Sequence, residues 1–342
     1  MTDPMSTDVL EGFEDEPEKP RGKSAKQAKE LAGRSPTQIA LARLRKDWVA
    51  VTCAIILLVL VLIGLLAPVI TNAMGIYKDY SAGAPTASEM TAFDGYPLIG
   101  PPYEKFTWSH PLGIEPGSGF DNLALLVYGL RTSLLVATLA TIFATVVGVT
   151  LGLIAGYAQG WLDSLLSFVI DFFLSFPFVL GALTLAPILV SNFTSADSLG
   201  KAQFFSLIGV LVLFGWMGLA RLIRGQVLSL REREFVQAAR VIGVPTRQIL
   251  FKELLPNLVA PIVVAVSLAL PGFVAAEAGL SFLGIGLSEG TSLGKTINKA
   301  ARYYDSYPLY LWAPVLTVMI LVIALNLLGD SVRDAFDPKT RR

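Results

Sequence analysis

The sequence predicts an all-α integral membrane protein with six transmembrane helices. Of its 342 residues, 53% are hydrophobic and 16% are charged, which is too apolar for an ordinary soluble domain. The run Trp48 to Ile70 has no charged residue, and at 1.5 Å per residue it crosses roughly 30 Å of hydrocarbon. Five further apolar runs follow, approximately Tyr128 to Tyr157, Leu162 to Ser191, Phe204 to Ile223, Leu258 to Gly284 and Leu309 to Leu328.

The segment ahead of the first span divides into two parts. Residues 1–34 are polar and rich in charge, so we expect a disordered cytoplasmic tail. This tail is not a signal peptide, because about 47 polar residues precede the first apolar run. Ser35 and Pro36 then predict the start of a basic helix, which continues through Arg43 into the first span. Residues 35–70 are therefore predicted to form a basic helix and the first transmembrane helix.

The distribution of lysine and arginine sets the orientation of the spans, because cytoplasmic loops carry the excess of these residues. The outer segment 71–126 has two such residues, Lys78 and Lys105. Nine precede the first span, at positions 19, 21, 23, 26, 29, 34, 43, 45 and 46, and six lie in the loop 224–257, at positions 224, 231, 233, 240, 247 and 252. The C-terminal tail 331–342 also carries basic residues. We therefore predict that both termini and the loop between spans four and five lie in the cytoplasm.

The outer segment 71–126 is rich in glycine, proline and aromatic residues, and we expect it to be ordered. It is either a docking surface for a binding protein or a cover over the outer mouth of the membrane domain. Its single histidine, His110, is interpreted as a polar surface residue. With one histidine and one cysteine, Cys53, the usual His/Cys metal clusters are excluded.

The sequence gives no support to an enzymatic function. The run Gly290-Thr-Ser-Leu-Gly294-Lys295-Thr296 resembles a phosphate-binding loop, but only three residues separate its glycines and no strand precedes it. It also lies on the outer side in the predicted topology. We therefore expect no catalytic residue, no metal and no bound cofactor in this chain.

Two acidic residues lie within the apolar runs, and each should face protein or a wet cavity, because a carboxylate in lipid is costly. Asp171 is interpreted as a structural hydrogen-bonded contact more than as part of a cavity. For Glu277 the two interpretations are balanced, because Pro271-Gly272 is expected to break the helix and broken helices often line cavities. Glu277 and nearby Ser281 are the candidate residues of a translocation path.

The second span carries Gly148, Gly152 and Gly156 at four-residue spacing. Small residues on one face let the backbones of neighbouring helices approach closely. This spacing predicts helix packing and implies no substrate.

The loop 231–256 carries the most specific signal. It predicts two short amphipathic helices, Arg231 to Ile242 and Thr246 to Leu254, separated by a turn at Gly243. Ala238 and Ala239 would give the first helix a flat face on which another protein could sit, and Pro256 would end the second, beside an apolar patch of Leu254 and Leu255. The alternative is a helix resting on lipid headgroups, but the acidic residues Glu232, Glu234 and Glu253 favour a protein partner.

Gln237-Ala-Ala-Arg-Val-Ile-Gly243, followed by Leu255-Pro256, resembles the EAA loop of ABC importer permeases. Gln237 stands where that pattern has glutamate, and Glu253 where it has isoleucine. The resemblance covers roughly residues 40–339 and indicates the dipeptide/oligopeptide branch, in the subunit with a single span ahead of the core. The other matching motifs are Pro111-Leu-Gly113, Tyr128 to Leu135, Gly152 to Tyr157, Asp171 through Pro177, Glu277 to Gly284 and Asn326 through Pro338. The outer stretch Gly113 to Asp121 departs from the branch.

The resemblance implies a type I ABC importer permease fold with a five-helix core, residues 127–330, in a bacterial cell membrane. It implies coupling to two cytoplasmic ATPases, which would hold the ATP and Mg, and partnership with a second permease and an extracytoplasmic peptide-binding protein. The implied ATPase-coupling residues are Glu234, Gln237, Ala238, Ala239, Arg240, Gly243, Leu255 and Pro256.

The implied substrates are di- or oligopeptides. The alternatives are the same architecture importing nickel chelates, glutathione or another small solute, and a secondary transporter. A secondary transporter would be expected to show paired intramembrane charges and inverted repeats.

Overall fold

A computed structural model describes residues 36–79, 87–93, 95–98, 107–193, 195–287 and 291–337. Within these ranges the secondary structure is helical, apart from two isolated bridges, Thr91 with Pro97 and Ile114 with Asp121. The predicted tail 1–34 and the predicted cap Ser35 lie outside the described residues.

The first three helices are α1 (Pro36–Leu44), α2 (Trp48–Leu65) and α3 (Ala67–Met74). The prediction that the basic helix continues into the first span is wrong, because α1 ends at Leu44. Asp47 has an extended backbone and its side chain accepts a hydrogen bond from the Val49 amide, at 3.0 Å, so it caps a new helix.

The outer segment contains α4 (Ala87–Met90), and α5 (Asn122–Tyr157) then crosses the molecule. The third predicted span is not one continuous helix. It consists of α6 (Trp161–Ser175) and α7 (Phe178–Val190), which are bent by 93° relative to one another. Pro177 causes the bend, since its ring disfavours helical geometry at Phe176, which is extended (φ −82°, ψ 132°).

The loop 231–256 lies between two long helical stretches. Before it, α8 (Ala196–Gly215) and α9 (Met217–Leu230) follow one another closely, and α10 (Glu234–Val241) lies in the loop. After it, α11 (Thr246–Gln248), a π-helical turn (Ile249–Leu254) and α12 (Leu255–Phe282) form one uninterrupted helix.

The chain closes with α13 (Leu293–Ala300), a 3₁₀ turn (Ala301–Tyr303) and α14 (Pro308–Phe336). Five helical stretches of the described chain are long and apolar enough to cross a membrane, and the bent pair α6–α7 makes a sixth when it is counted as one broken span. The predicted all-α, six-span fold is therefore confirmed.

The long helix α5 lies at the centre and packs against α2, α8, α9 and α12. Its glycines allow the closest of these contacts. A Cβ atom added to Gly148, Gly152 or Gly156 would lie within 2.8 Å of an atom of the neighbouring stretch Trp216 to Val227. The prediction that this glycine spacing serves helix packing is confirmed.

Candidate functional site

The loop 231–256 folds as a short helix followed by a sharp turn. Arg233 is extended and leads into α10, and Gly243 has φ +80°, which side chains of L-residues rarely tolerate. The Gly243 and Val244 amides donate to the carbonyl oxygens of Arg240 and Ala239, each at 3.0 Å. The turn predicted at Gly243 is confirmed, and its geometry requires glycine.

One face of α10 is buried against its own chain. Val236 is fully buried and Ala239 is 7% exposed, and both belong to an apolar cluster beneath the loop. The other buried members are Leu153, Ile223, Val227, Ile249, Leu254 and Leu258. Ala239 therefore faces inwards, and in this structure it is not open to direct contact with an ATPase. Leu254 is also buried, so it is not part of the exposed apolar patch predicted for it.

The opposite face of α10 and the turn after it expose apolar side chains. Val241 is 86% exposed, Ile242 is 77% exposed and Phe235 is 40% exposed, and Ala238 lies among them. We call Phe235, Ala238, Val241 and Ile242 the cytoplasmic patch, after the location that the sequence predicts for this loop. Sequence reasoning identified Ala238 but missed the three larger residues, although apolar residues in a strongly charged segment were a usable signal.

Polar contacts fix α10 on the end of α5. Gln237 Nε2 donates to the Arg231 carbonyl oxygen at 3.0 Å, and Arg231 Nη1 donates to the Gly156 carbonyl oxygen at 3.2 Å. The Arg240 guanidinium lies 4.7 Å from the centre of the Tyr157 ring, and its Nε donates to the Tyr157 hydroxyl at 3.3 Å. Gln237 and Arg240 therefore hold the loop in place, while exposed Glu234 flanks the cytoplasmic patch.

The second half of the loop differs from its prediction, because Pro256 does not end a helix. The π-helical turn Ile249–Leu254 precedes it, and such wider turns accommodate the missing proline N–H. Asn257 Nδ2 donates to the Glu253 carbonyl oxygen at 2.6 Å. Leu255 is half-buried and Pro256 is exposed. The helix continues without a break from the loop into the membrane domain, over Thr246–Phe282.

Two ion pairs join α6 to α9 close to this loop. Arg224 Nε and Nη2 donate to the two carboxylate oxygens of Asp163, at 2.7 and 3.1 Å, and Arg221 pairs with Asp171. Asp171 is thus a structural contact, the interpretation that the sequence favoured.

The candidate path residues Glu277 and Ser281 are buried inside the chain. Ser281 Oγ donates to Glu277 Oε1 at 2.8 Å, and the Ser133 and Ser292 side chains also interact with this carboxyl group. Glu277 Oε2 has no hydrogen bond of acceptable length and angle within the described chain. The predicted helix break at Pro271-Gly272 is wrong, because α12 continues through it to Phe282. A place for these residues on the translocation path stays a prediction.

The described part of the outer segment is held on the helix ends by polar contacts. The buried Glu115 Oε1 accepts hydrogen bonds from Lys299 Nζ at 2.9 Å and from the Tyr310 hydroxyl at 2.7 Å. His110 Nδ1 lies 2.7 Å from Asp121 Oδ2, and Asp121 caps α5. His110 is therefore partly buried and paired, and the interpretation of it as a plain surface residue is wrong.

The helical bundle, its long apolar helices and the short helix α10 in the loop between two of them are features of a polytopic membrane permease of the ABC importer class. A family model described as the binding-protein-dependent transport system inner membrane component matches residues 148–342. A second model, the N-terminal TM domain of oligopeptide transport permease C, matches residues 35–85. The chain belongs to this family of binding-protein-dependent permeases, and it is a multi-pass inner membrane subunit of an ABC transporter.

Relatives match over nearly the whole chain. The oligopeptide transport system permease protein OppC of Haemophilus influenzae is 33% identical over 315 residues, covering 91% of each chain. OppC of Escherichia coli is 33% identical, covering 91% of this chain and 94% of its own. The dipeptide transport system permease protein DppC of Alkalihalophilus pseudofirmus is also 33% identical, covering 90% and 91%.

A solved structure, the MetNI methionine ABC transporter in an inward-facing conformation, shares the fold. It superposes with a TM-score of 0.50 and 21% identity, and the match covers 62% of this chain and 96% of that chain. At this identity the likeness supports the type I importer fold and says nothing of substrate.

Proposed function

We propose that this permease forms half of the translocation pathway of a peptide importer, and that a cytoplasmic ATPase docks on its cytoplasmic patch. The cytoplasmic patch carries the proposal. Val241 and Ile242 are 86% and 77% exposed, in a segment that also carries eight charged residues. Adjacent exposed apolar side chains of this size mark a surface that a partner covers.

The path of the chain supports a cytoplasmic location for the patch and for both termini. Arg43 Nη1 donates to the carbonyl oxygens of Ala335 and Asp337, at 3.1 and 3.2 Å, so α1 and the end of α14 lie on the same side. Helix α2 crosses the membrane domain once and α5 returns, which brings Tyr157 back to the side where α2 begins. Arg240 contacts Tyr157, so α10 lies on that side too. The excess of basic residues there is typical of the cytoplasm.

The nucleotide and its Mg would lie on the partner subunits. Residues 293–296 of the run that resembles a phosphate-binding loop belong to helix α13, and a Cβ atom on Gly294 would lie 2.1 Å from the Ala278 carbonyl oxygen. Such close packing leaves no room for a phosphate beside Gly294. Energy would therefore reach this chain by movement: α10 would follow the ATPase and tilt the spans between outward and inward access.

The names of the relatives support peptides as the substrate. Relatives that are 33% identical over nearly their whole length are oligopeptide and dipeptide permeases. The proposed complex contains this chain, a second homologous permease, two ATPase subunits and an extracytoplasmic peptide-binding protein.

Docking is tested by co-purification of the tagged permease with its ATPase subunits. Val241→Asp places a charge in the cytoplasmic patch and should strongly reduce the recovered ATPase without changing membrane insertion. Leu41→Asp is the matched control, because Leu41 is a 51% exposed apolar residue of α1 and lies outside the patch. An unchanged ATPase stoichiometry in Val241→Asp would contradict the docking site.

The substrate is tested separately with the complete complex in proteoliposomes. ATP-dependent uptake of radiolabelled dialanine, trialanine and tetraalanine is compared with uptake of glutathione and of a nickel–histidine chelate. Uptake of the alanine peptides supports the proposal. Uptake confined to the other solutes, or uptake that needs no ATP, would overturn it.

A further inference from the structure

Helix α6 is held on α9 at two separate points. Arg221 and Arg224 are three residues apart and so share one face of α9. Their partners Asp163 and Asp171 are eight residues apart on α6, about 12 Å along the helix axis. Asp163 lies in the first turn of α6, and Asp171 lies one turn before its end. One turn of α9 therefore holds both ends of α6.

The geometry of the pair at Asp163 fixes orientation as well as distance. Arg224 presents two N–H groups to the two oxygens of one carboxylate, an arrangement that restrains the plane of both groups. Ser167 Oγ donates to Asp163 Oδ1 at 3.2 Å and steadies the carboxylate. Together with the exposed Arg221–Asp171 pair, this attachment ties α6 to α9 at two points and restrains rotation and sliding of α6 on α9.

Beyond the Asp171 pair, α6 ends at the bend, and the bend packs around the ring of Phe214. The ring of Phe214 lies 6.1 Å from that of Phe173, 5.8 Å from that of Phe176 and 5.9 Å from that of Phe178, between ring centres. A Cβ atom on Gly181 would lie 2.4 Å from Phe214 Cζ. Because Phe214 packs closely against the bend on this side, a movement of α6 would displace Phe214 or α7.

An open cavity of about 280 Å³ adjoins this aromatic cluster. Phe178 and Phe214 form one side of it, and Gly272, Phe273 and Ala276 of α12 form the other. Two residues of the aromatic cluster at the bend, Phe178 and Phe214, therefore also form part of the cavity wall. A shift of Phe178 and Phe214 would change the shape of the cavity.

We propose that Asp163 and Asp171 are positioning residues for transport. They clamp α6 to α9, so that α6 carries the movement of the cytoplasmic loop to the aromatic cluster and reshapes the cavity beside it. The connection to the loop is short, because α9 leads into α10 through Arg231 to Arg233, and Arg231 also contacts the end of α5. This inference rests on the proposed function, since an ATPase must move the loop.

The test measures the movement directly in the reconstituted complex. Nitroxide labels are placed on α6 at Leu165→Cys and on α7 at Leu189→Cys, two exposed positions, in a Cys53→Ser background that removes the native thiol. The distance between the labels is measured by pulsed electron paramagnetic resonance with and without a non-hydrolysable ATP analogue. ATP-dependent uptake of radiolabelled trialanine is measured in parallel.

Charge-reversal variants then show whether transport needs the ion pair between Asp163 and Arg224 or only a charged residue at each position. Arg224→Asp and Asp163→Arg should each abolish the nucleotide-dependent shift and lower uptake by about tenfold or more, within the range typical of coupling between sites. The double variant restores an opposite-charge pair and should recover the shift and most of the uptake. Gln226→Asp, the matched control, adds the same charge at an exposed position of α9 and should behave as the wild type.

The outcomes distinguish this inference from the proposed function. A normal shift and normal uptake in both single variants would overturn the clamp and leave the function standing, and so would a double variant that assembles without recovery. A wild-type complex that binds no ATPase or shows no shift would overturn both. If a reversal prevents folding, the milder Asp163→Asn and Arg224→Gln replace it, with the same expected directions.

Discussion

The packing of α5 on α9 predicts that two glycine-to-alanine substitutions change the free energy of unfolding differently: one lowers it, and the other leaves it unchanged or raises it. At Gly152 an added Cβ atom would lie 2.7 Å from the Ala220 carbonyl oxygen and 2.8 Å from Ile223 Cβ. Ordinary contact begins at 3.4 Å, so α5 and α9 must separate. At Gly225 of α9, nothing lies within 4 Å of the added atom. Both positions are helical, so the intrinsic gain in helix stability from alanine is the same at each.

The expected magnitudes follow from this difference. Forcing an extra methyl group into a packed interface costs about 1–3 kcal/mol, and a backbone oxygen cannot swing aside as a side chain can. Alanine gains about 0.5–1 kcal/mol over glycine inside a helix. Gly152→Ala should therefore lower the free energy of unfolding by about 1–2 kcal/mol, whereas Gly225→Ala should leave it unchanged or raise it.

The assay is thermal unfolding of the detergent-solubilised permease, followed by a thiol-reactive dye. Cys53 is the single cysteine and is buried, so it reacts only when the chain opens. At about 2–4 °C per kcal/mol for chains of moderate size, Gly152→Ala should lower Tm by about 2–8 °C. Equal Tm values for Gly152→Ala and the wild type, or equal shifts in both variants, would refute the packing argument.

Three further substitutions test the loop and the outer segment. Gly243→Asp forces a side chain into a left-handed turn, so ATP-dependent uptake should be lost while membrane insertion is retained; normal uptake in proteoliposomes would contradict this. Ala239→Glu buries a charge under α10, so protease cleavage of the loop should accelerate as ATPase co-purification falls; loss of co-purification with unchanged cleavage would indicate direct contact instead. Glu115→Ala leaves Lys299 and Tyr310 without their acceptor, at about 1–3 kcal/mol, and should expose the outer segment to trypsin; unchanged digestion would refute this role.

The span count and the family could be predicted from the sequence because each depends on local features. A run such as Trp48 to Ile70 must cross lipid whatever its neighbours are, since its side chains have no favourable place in water. The glycine spacing at Gly148, Gly152 and Gly156 likewise sets one face of a single helix. The motif around Gly243 was recognised from spacing alone, and the left-handed φ found there gives a physical reason for glycine.

Which residues of the loop are exposed and which are buried could not be predicted in the same way. The sequence places Ala238 and Ala239 side by side, yet one is exposed and the other is buried against the apolar cluster. The difference depends on where α5 and α9 end beneath α10, which is a matter of three-dimensional packing. For the same reason Val241 and Ile242 were not recognised as surface residues.

The sequence by itself determined the class of protein, the apolar spans and the place of the loop 231–256 between two of them, because hydropathy, charge and spacing act within each segment. Only the tertiary structure decided that the third span bends at Pro177, that Glu277 is enclosed, and that Asp163 and Asp171 meet arginines of α9. These outcomes depend on contacts between segments far apart in the chain. Which groups meet across such distances is set by packing, and no local pattern carries that information.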